Sequence, residues 1–181
     1  HFRKQKLDDV LSSELLDNYL EMLDPNRQIF LQSDINEFNQ SRNKLDDELT
    51  IGQLTTARAV YQRYFDRLTT RLEWTIKQIE PLTQQEAFTG DDVIEIDRKD
   101  SPWPADMSAA DALWTSYIKN AILSLKLADK PVNNISTTLS RRFQSQLDRL
   151  RKQTPMDNFE VFMNAYAELY DPHTNFMSPK T

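Results

Sequence analysis

The sequence predicts an all-α fold of about six helices. Three observations point there. The chain has 181 residues but only two glycines, Gly52 and Gly90. Few turns requiring positive φ can be built from them, which disfavours an all-β fold. Apolar residues recur at three- and four-residue spacing through most of the length, which puts them on one face of a helix. Prolines punctuate these runs, removing an amide donor and turning the preceding residue away from helix.

Leu7, Val10, Leu11, Leu15, Leu16, Tyr19, Leu20 and Leu23 outline the first helix, which Asp24-Pro25 ends. A short connection, Asn26 to Leu31, follows. Ser33 is the expected cap of a second, short helix that buries Ile35 and Phe38. Asp46 to Thr50 reads as a polar break.

From Gly52 to Glu80 the apolar face is continuous, carried by Leu54, Ala57, Tyr61, Tyr64, Phe65, Leu68, Leu72, Ile76 and Ile79. Arg58, Arg63, Arg67, Arg71 and Lys77 fall largely on other faces. Such a helix is roughly 40 Å long and spans the domain. Pro81 is expected to stop it.

Residues 86–105 differ in kind and read as an irregular extended excursion. Val93 to Ile96 has strand character, but one strand does not make a sheet. The segment ends in Pro102-Trp103-Pro104, where the tryptophan is either a peg into the domain's own core or a contact for a neighbouring domain.

Ser108-Ala109-Ala110-Asp111 has the shape of a capping box and starts a helix lined by Leu113, Trp114, Tyr117, Ile118, Ala121, Ile122 and Leu125. Pro131 breaks it, and Ile135, Leu139, Phe143, Leu147 and Leu150 mark the next helix. Thr154-Pro155-Met156-Asp157 is the clearest helix start, with a cap, a proline at the first helical position and an acid two residues on. Phe159, Phe162, Met163, Tyr166 and Leu169 fill one side of that last helix.

Composition narrows function further. A chain of this length buries roughly 70% of its unfolded surface, and an apolar content of 39% argues against disorder. Two glycines cannot build a phosphate loop, a dinucleotide fingerprint or a nucleophile elbow. The net charge of −6 disfavours nucleic acid as a partner. Without cysteine there is no disulfide or thiolate metal site. No apolar run approaches the roughly 20 residues of a membrane span. His1 to Lys6 carry charge with no apolar signal core after them, the pattern of a mature or trimmed chain.

Asp171 and His173 lie two apart, but metal binding takes three or four convergent ligands. A local role in the turn suits them better. No serine sits in a glycine-containing turn with a base in view, so no catalytic residue is assigned. No cofactor is expected either. Arg141, Arg142, Arg149, Arg151 and Lys152 make one helix basic, against an acidic excursion of Glu86, Asp91, Asp92, Glu95, Asp97 and Asp100. These are either two solvated faces or a complementary pair that contributes to docking. The aromatics Tyr61, Tyr64, Phe65, Trp74, Trp114 and Tyr117 read as core.

Several segments, in the same order along the chain, resemble the N-terminal helical region of the bacterial tail-specific proteases. At the front, Leu23-Asp24-Pro25 leads to Phe30-Leu31-Gln32-Ser33-Asp34-Ile35. Trp114 and Arg141-Arg142-Phe143 match in the middle. At the end, Phe162 to Ala167 runs into Asp171-Pro172-His173-Thr174, with Phe176 and Ser178-Pro179 behind. Position 176 is Phe where the family often has Tyr, which keeps an apolar anchor.

The resemblance implies a helical domain over residues 1–170 and a linker over 171–181 leading to a PDZ domain and a protease core. The implied parent is a periplasmic serine endopeptidase whose PDZ domain senses apolar C-terminal tails and whose Ser–Lys dyad forms the acyl-enzyme. None of those catalytic residues maps onto this chain. Its implied role is a scaffold that shapes substrate access, with the parent's own PDZ and core, tail-bearing substrates and an envelope adaptor as partners. Asp24, Pro25, Phe30, Trp114, Arg141, Arg142, Asp171, Pro172, His173, Thr174, Phe176 and Pro179 are then motif or interdomain positions. The alternative is a freestanding helical interaction domain.

Overall fold

Seven α-helices and no strand occur among the described residues, 8–85 and 97–170 of a computed structural model. They are α1 (Asp9–Leu23), α2 (Gln32–Asn39), α3 (Leu45–Ile51), α4 (Thr55–Thr83), α5 (Met107–Leu127), α6 (Val132–Arg151) and α7 (Pro155–Glu168). The all-α expectation holds. The proposed strand at Val93 to Ile96 lies outside the described residues.

The helix missing from the sequence reading is α3. The run read as a polar break, Asp46 to Thr50, is helical because its two leucines face inward. Leu45 is buried and Leu49 packs on the same core. Asp46, Asp47 and Glu48 occupy the first turn, where the helix dipole favours acids. Gly52 closes the helix at φ 79°, and its amide returns to the Glu48 carbonyl at 2.9 Å. The Glu48 carboxylate then accepts from the Thr56 amide and hydroxyl, satisfying donors at the start of α4.

Other boundaries shift for equally local reasons. Ser33 is not the cap of α2. The cap position is Leu31 and the helix begins at Gln32, two residues earlier than expected, with Asp34 reaching back to the Leu31 amide at 2.9 Å. Pro81 does not stop α4, which runs on to Thr83. Its ring faces solvent on an exposed position, and only one ladder donor is lost. Asp106, not Ser108, caps α5 by accepting from the Ala109 amide at 2.8 Å. The start of α7 is as expected: Thr154 and Asp157 form a reciprocal capping box with Pro155 at the first turn.

The long helix α4 is the spine. Near its start, Ala57 and Val60 join a core built from Leu15, Leu16, Tyr19, Phe30 and Phe162. At its middle, Leu72 packs with Leu147 and Leu150 of α6. Towards its end, Ile79 and Leu82 meet Ile118 and Ile122 of α5 and Ile135 and Leu139 of α6. One helix therefore threads three apolar clusters, with α1, α2, α3 and α7 around its front and α5 and α6 around its back. Tyr19 bridges α1 to α7, edge-on to Phe162 at 5.2 Å, with its hydroxyl donating to Asn158 Oδ1.

Candidate functional site: a buried carboxylate junction

The turn between α1 and α2 is organised by one side chain. Asp24 is 1% exposed. Its Oδ1 accepts from the Gln28 amide at 2.9 Å, and its Oδ2 from the amides of Ile29 (3.1 Å) and Phe30 (3.0 Å). A fourth donor arrives from far along the chain, the Trp103 indole Nε1–H at 3.1 Å. A buried carboxylate is tolerated only when such donors replace water.

The same loop is held on its other side. Arg27 adopts φ 49°, and its guanidinium lies 4.3 Å above the Trp103 ring while Nη1 donates to the Ser101 carbonyl at 3.2 Å. Arg98 reaches back to the carbonyls of Arg27 and Pro102. Gln32 N–H donates to Pro104 carbonyl at 2.9 Å, and Trp114 Nε1–H to Gln28 carbonyl at 2.9 Å. Residues 97–106 are thereby strapped across the α1–α2 turn and onto α5. Trp103 packs against the domain's own core. Of the two readings, the peg is the one the structure shows.

A second buried carboxylate lies on α2. Asp34 accepts from Arg63 Nη1 at 2.5 Å and, in a two-pronged pair, from Arg67 Nε at 2.9 Å and Nη2 at 3.0 Å. Burial alone would raise its pKa. The hydrogen bonds from Arg67, the Leu31 amide and Arg63 outweigh that and hold the carboxyl below its usual range. Asp34 in turn raises the pKa of Arg63. One turn further along α4, Arg71 is buried, paired with Asp111 of α5 at 2.6 Å and stacked 4.8 Å from Trp74. Three of the α4 arginines that the apolar pattern placed away from the packed face, Arg63, Arg67 and Arg71, thus face α2 and α5. Beside them, burial, with the Asp24 carboxylate and Tyr61 adding to it, pushes Tyr64 up to about 12.

Four of the sequence-derived positions, Asp24, Pro25, Phe30 and Trp114, come together at this junction. Phe30 is fully buried, edge-on to Phe38 at 5.3 Å. Arg141 and Arg142 do not join them: both are exposed on α6 and pair with no acid among the described residues. On the same helix Arg151 bonds Glu73 of α4 at 2.8 Å. Asp171, Pro172, His173, Thr174, Phe176 and Pro179 lie outside the described residues, as does most of the acidic excursion. Sequence reasoning missed Arg27, Arg63 and Arg67 as parts of this network. The four-residue spacing of Arg63, Arg67 and Arg71 was the visible signal, but it names no partner.

An open groove of about 660 Å³ separates the front of α4 from the start of α7, with Leu54, Tyr61, Phe65, Pro155, Phe159 and Phe162 among its walls. Tyr61 and Phe65, expected in the core, are half-buried there, whereas Trp114 is buried as expected. Among the described residues no three His, Asp or Glu side chains converge to hold a metal, and no helix is long and apolar enough to cross a membrane.

Comparison with known proteins agrees in order and extent. A family model described as "Tail specific protease N-terminal domain" matches residues 1–180. The chain is 36% identical over 182 aligned positions to a protein of Haemophilus influenzae (strain ATCC 51907 / DSM 11121 / KW20 / Rd) named "Tail-specific protease". The match covers all of this chain and 26% of that relative.

Proposed function

The chain belongs to the tail-specific protease N-terminal domain family, and from that premise we propose that it is a non-catalytic scaffold of a periplasmic serine endopeptidase. The observation that carries this reading is how its buried polar groups are spent. Asp24 receives four donors, and Asp34 receives two arginines and an amide. Ser12, the one fully buried serine among the described residues, accepts from the Leu45 amide at 2.9 Å and donates to the Arg42 carbonyl at 2.5 Å. A nucleophile needs a base beside it and donors aimed at an oxyanion. Here the hydroxyl and the carboxylates are committed to backbone amides and to the side chains of Arg63, Arg67 and Trp103.

On this reading residues 171–181 lead toward a PDZ domain and a Ser–Lys core, which bind and cleave proteins with apolar C-terminal tails. An envelope adaptor is a further partner of the parent. The junction at Asp24 supplies rigidity, so that helices flanking the core keep one geometry.

Two measurements test the proposal. The purified chain is expected to fold as a helical unit and to leave a tail-bearing reporter uncut; cleavage abolished by one serine substitution would overturn that. In the full-length parent, Asp24→Ala is expected to lower reporter cleavage while the nucleophile still reacts with a serine-directed probe. Cleavage at the unmodified rate would remove the scaffold role.

A further inference from the structure

Met107 opens α5 and is 43% exposed. Its sulfur lies 3.8 Å from Arg67 Nη1, in a cleft of about 270 Å³ between α4 and the α5 start. A thioether is a weak acceptor for such a strong donor. Yet the guanidinium cannot turn away, because Asp34 grips its Nε and Nη2 edge at 2.9 and 3.0 Å. The remaining nitrogen is thus aimed at the sulfur by a carboxylate that is itself buried.

We propose that Met107 is a site of oxidation by a peroxide, and that the sulfoxide oxygen is captured by Arg67. The sulfur lone pair attacks one peroxide oxygen and the O–O bond breaks. Sulfur loses two electrons and gains an oxygen; that oxygen gives up its proton, and the other oxygen departs as hydroxide and takes up a proton to become water. With the sulfur 3.8 Å from the nitrogen, an oxygen bonded to it and set off the N···S line, at a bent S–O···N angle, comes within an ordinary N–H···O distance of about 2.9 Å. The weak N–H···S contact becomes a charge-assisted hydrogen bond that ties α5 to the α2–α4 ion pair. Oxidation of methionine commonly loosens a fold, because a polar group enters an apolar place. Here the new oxygen meets a cation and the fold tightens.

The other methionines among the described residues serve as internal references. Met156 is 54% exposed, with no cation set against its sulfur among the described residues, while Met22 and Met163 pack against the main core. The test is titration of the chain with hydrogen peroxide, peptide mass mapping of each methionine and a thermal melt. Met107 and Met156 are expected to oxidise ahead of Met22 and Met163. The melting temperature is expected to rise by about 2 °C. That rise disappears in Met107→Leu and persists in Met156→Leu. Met107→Gln, which carries a permanent carbonyl oxygen, reproduces it without peroxide. Resistance of Met107 to oxidation, a melting temperature that stays or falls, or a rise surviving in Met107→Leu each overturns the proposal.

Discussion

The Trp103 indole nitrogen and the Asp24 carboxylate meet at 3.1 Å although 79 positions separate them in the chain. This contact fastens the segment before α5 to the turn after α1. It is also the one Asp24 bond that local geometry could not have made: the other three donors are amides four to six residues away.

Removing Asp24 is therefore expected to be costly. Asp24→Ala strands several buried donors, and a loss of roughly 3 kcal/mol follows from the penalty for unsatisfied groups. Trp103→Phe keeps the ring but loses the N–H, and is expected to cost about 1 kcal/mol. A double-mutant cycle read by urea unfolding is expected to show coupling on the order of 1 kcal/mol between the two. Strict additivity would mean the contact contributes nothing of its own.

Asp34 makes the fold sensitive to acid. Its carboxyl is held below its usual range by Arg67, the Leu31 amide and Arg63. A group with a depressed folded pKa stabilises above its unfolded value, about 3.9 for an aspartate, and that stability drains as pH falls through the lower folded value. Urea midpoints taken from neutral pH down through the carboxylate range are expected to fall for the unmodified chain. Asp34→Asn starts less stable and shows a shallower fall. Parallel curves for the two proteins would refute the linkage.

Gly52 isolates a purely conformational cost. Its φ is 79°, and a Cβ built there has nothing within 4 Å. Gly52→Ala thus meets left-handed strain without a clash, and a loss of about 1 kcal/mol is expected. Gly52→Asn is expected to lose less, since asparagine tolerates this region better. Equal stability of all three by thermal or urea unfolding would show that α3 rearranges its end.

The helices were readable in the chain wherever apolar spacing and a cap agreed. The Thr154-Pro155 start of α7 is the clear case, because cap, proline and acid act within four residues. Where capping was spread or indirect the reading slipped. Asp106 took the role expected of Ser108, and α3 hid behind three acids that a helix start in fact favours.

Periodicity and proline placement, which are local, were enough to determine an all-α chain, its long spine from near Gly52 and most of its buried faces. Ordered motifs along its length were enough to place it in its family. Which charges meet was settled only by folding. Arg63 and Arg67 find Asp34 about thirty residues away, Arg71 finds Asp111 forty away, and Trp103 finds Asp24 79 positions away. A helical pattern says which face a side chain occupies but not which helix arrives there. That depends on the crossing of α2, α4 and α5, which no local spacing encodes.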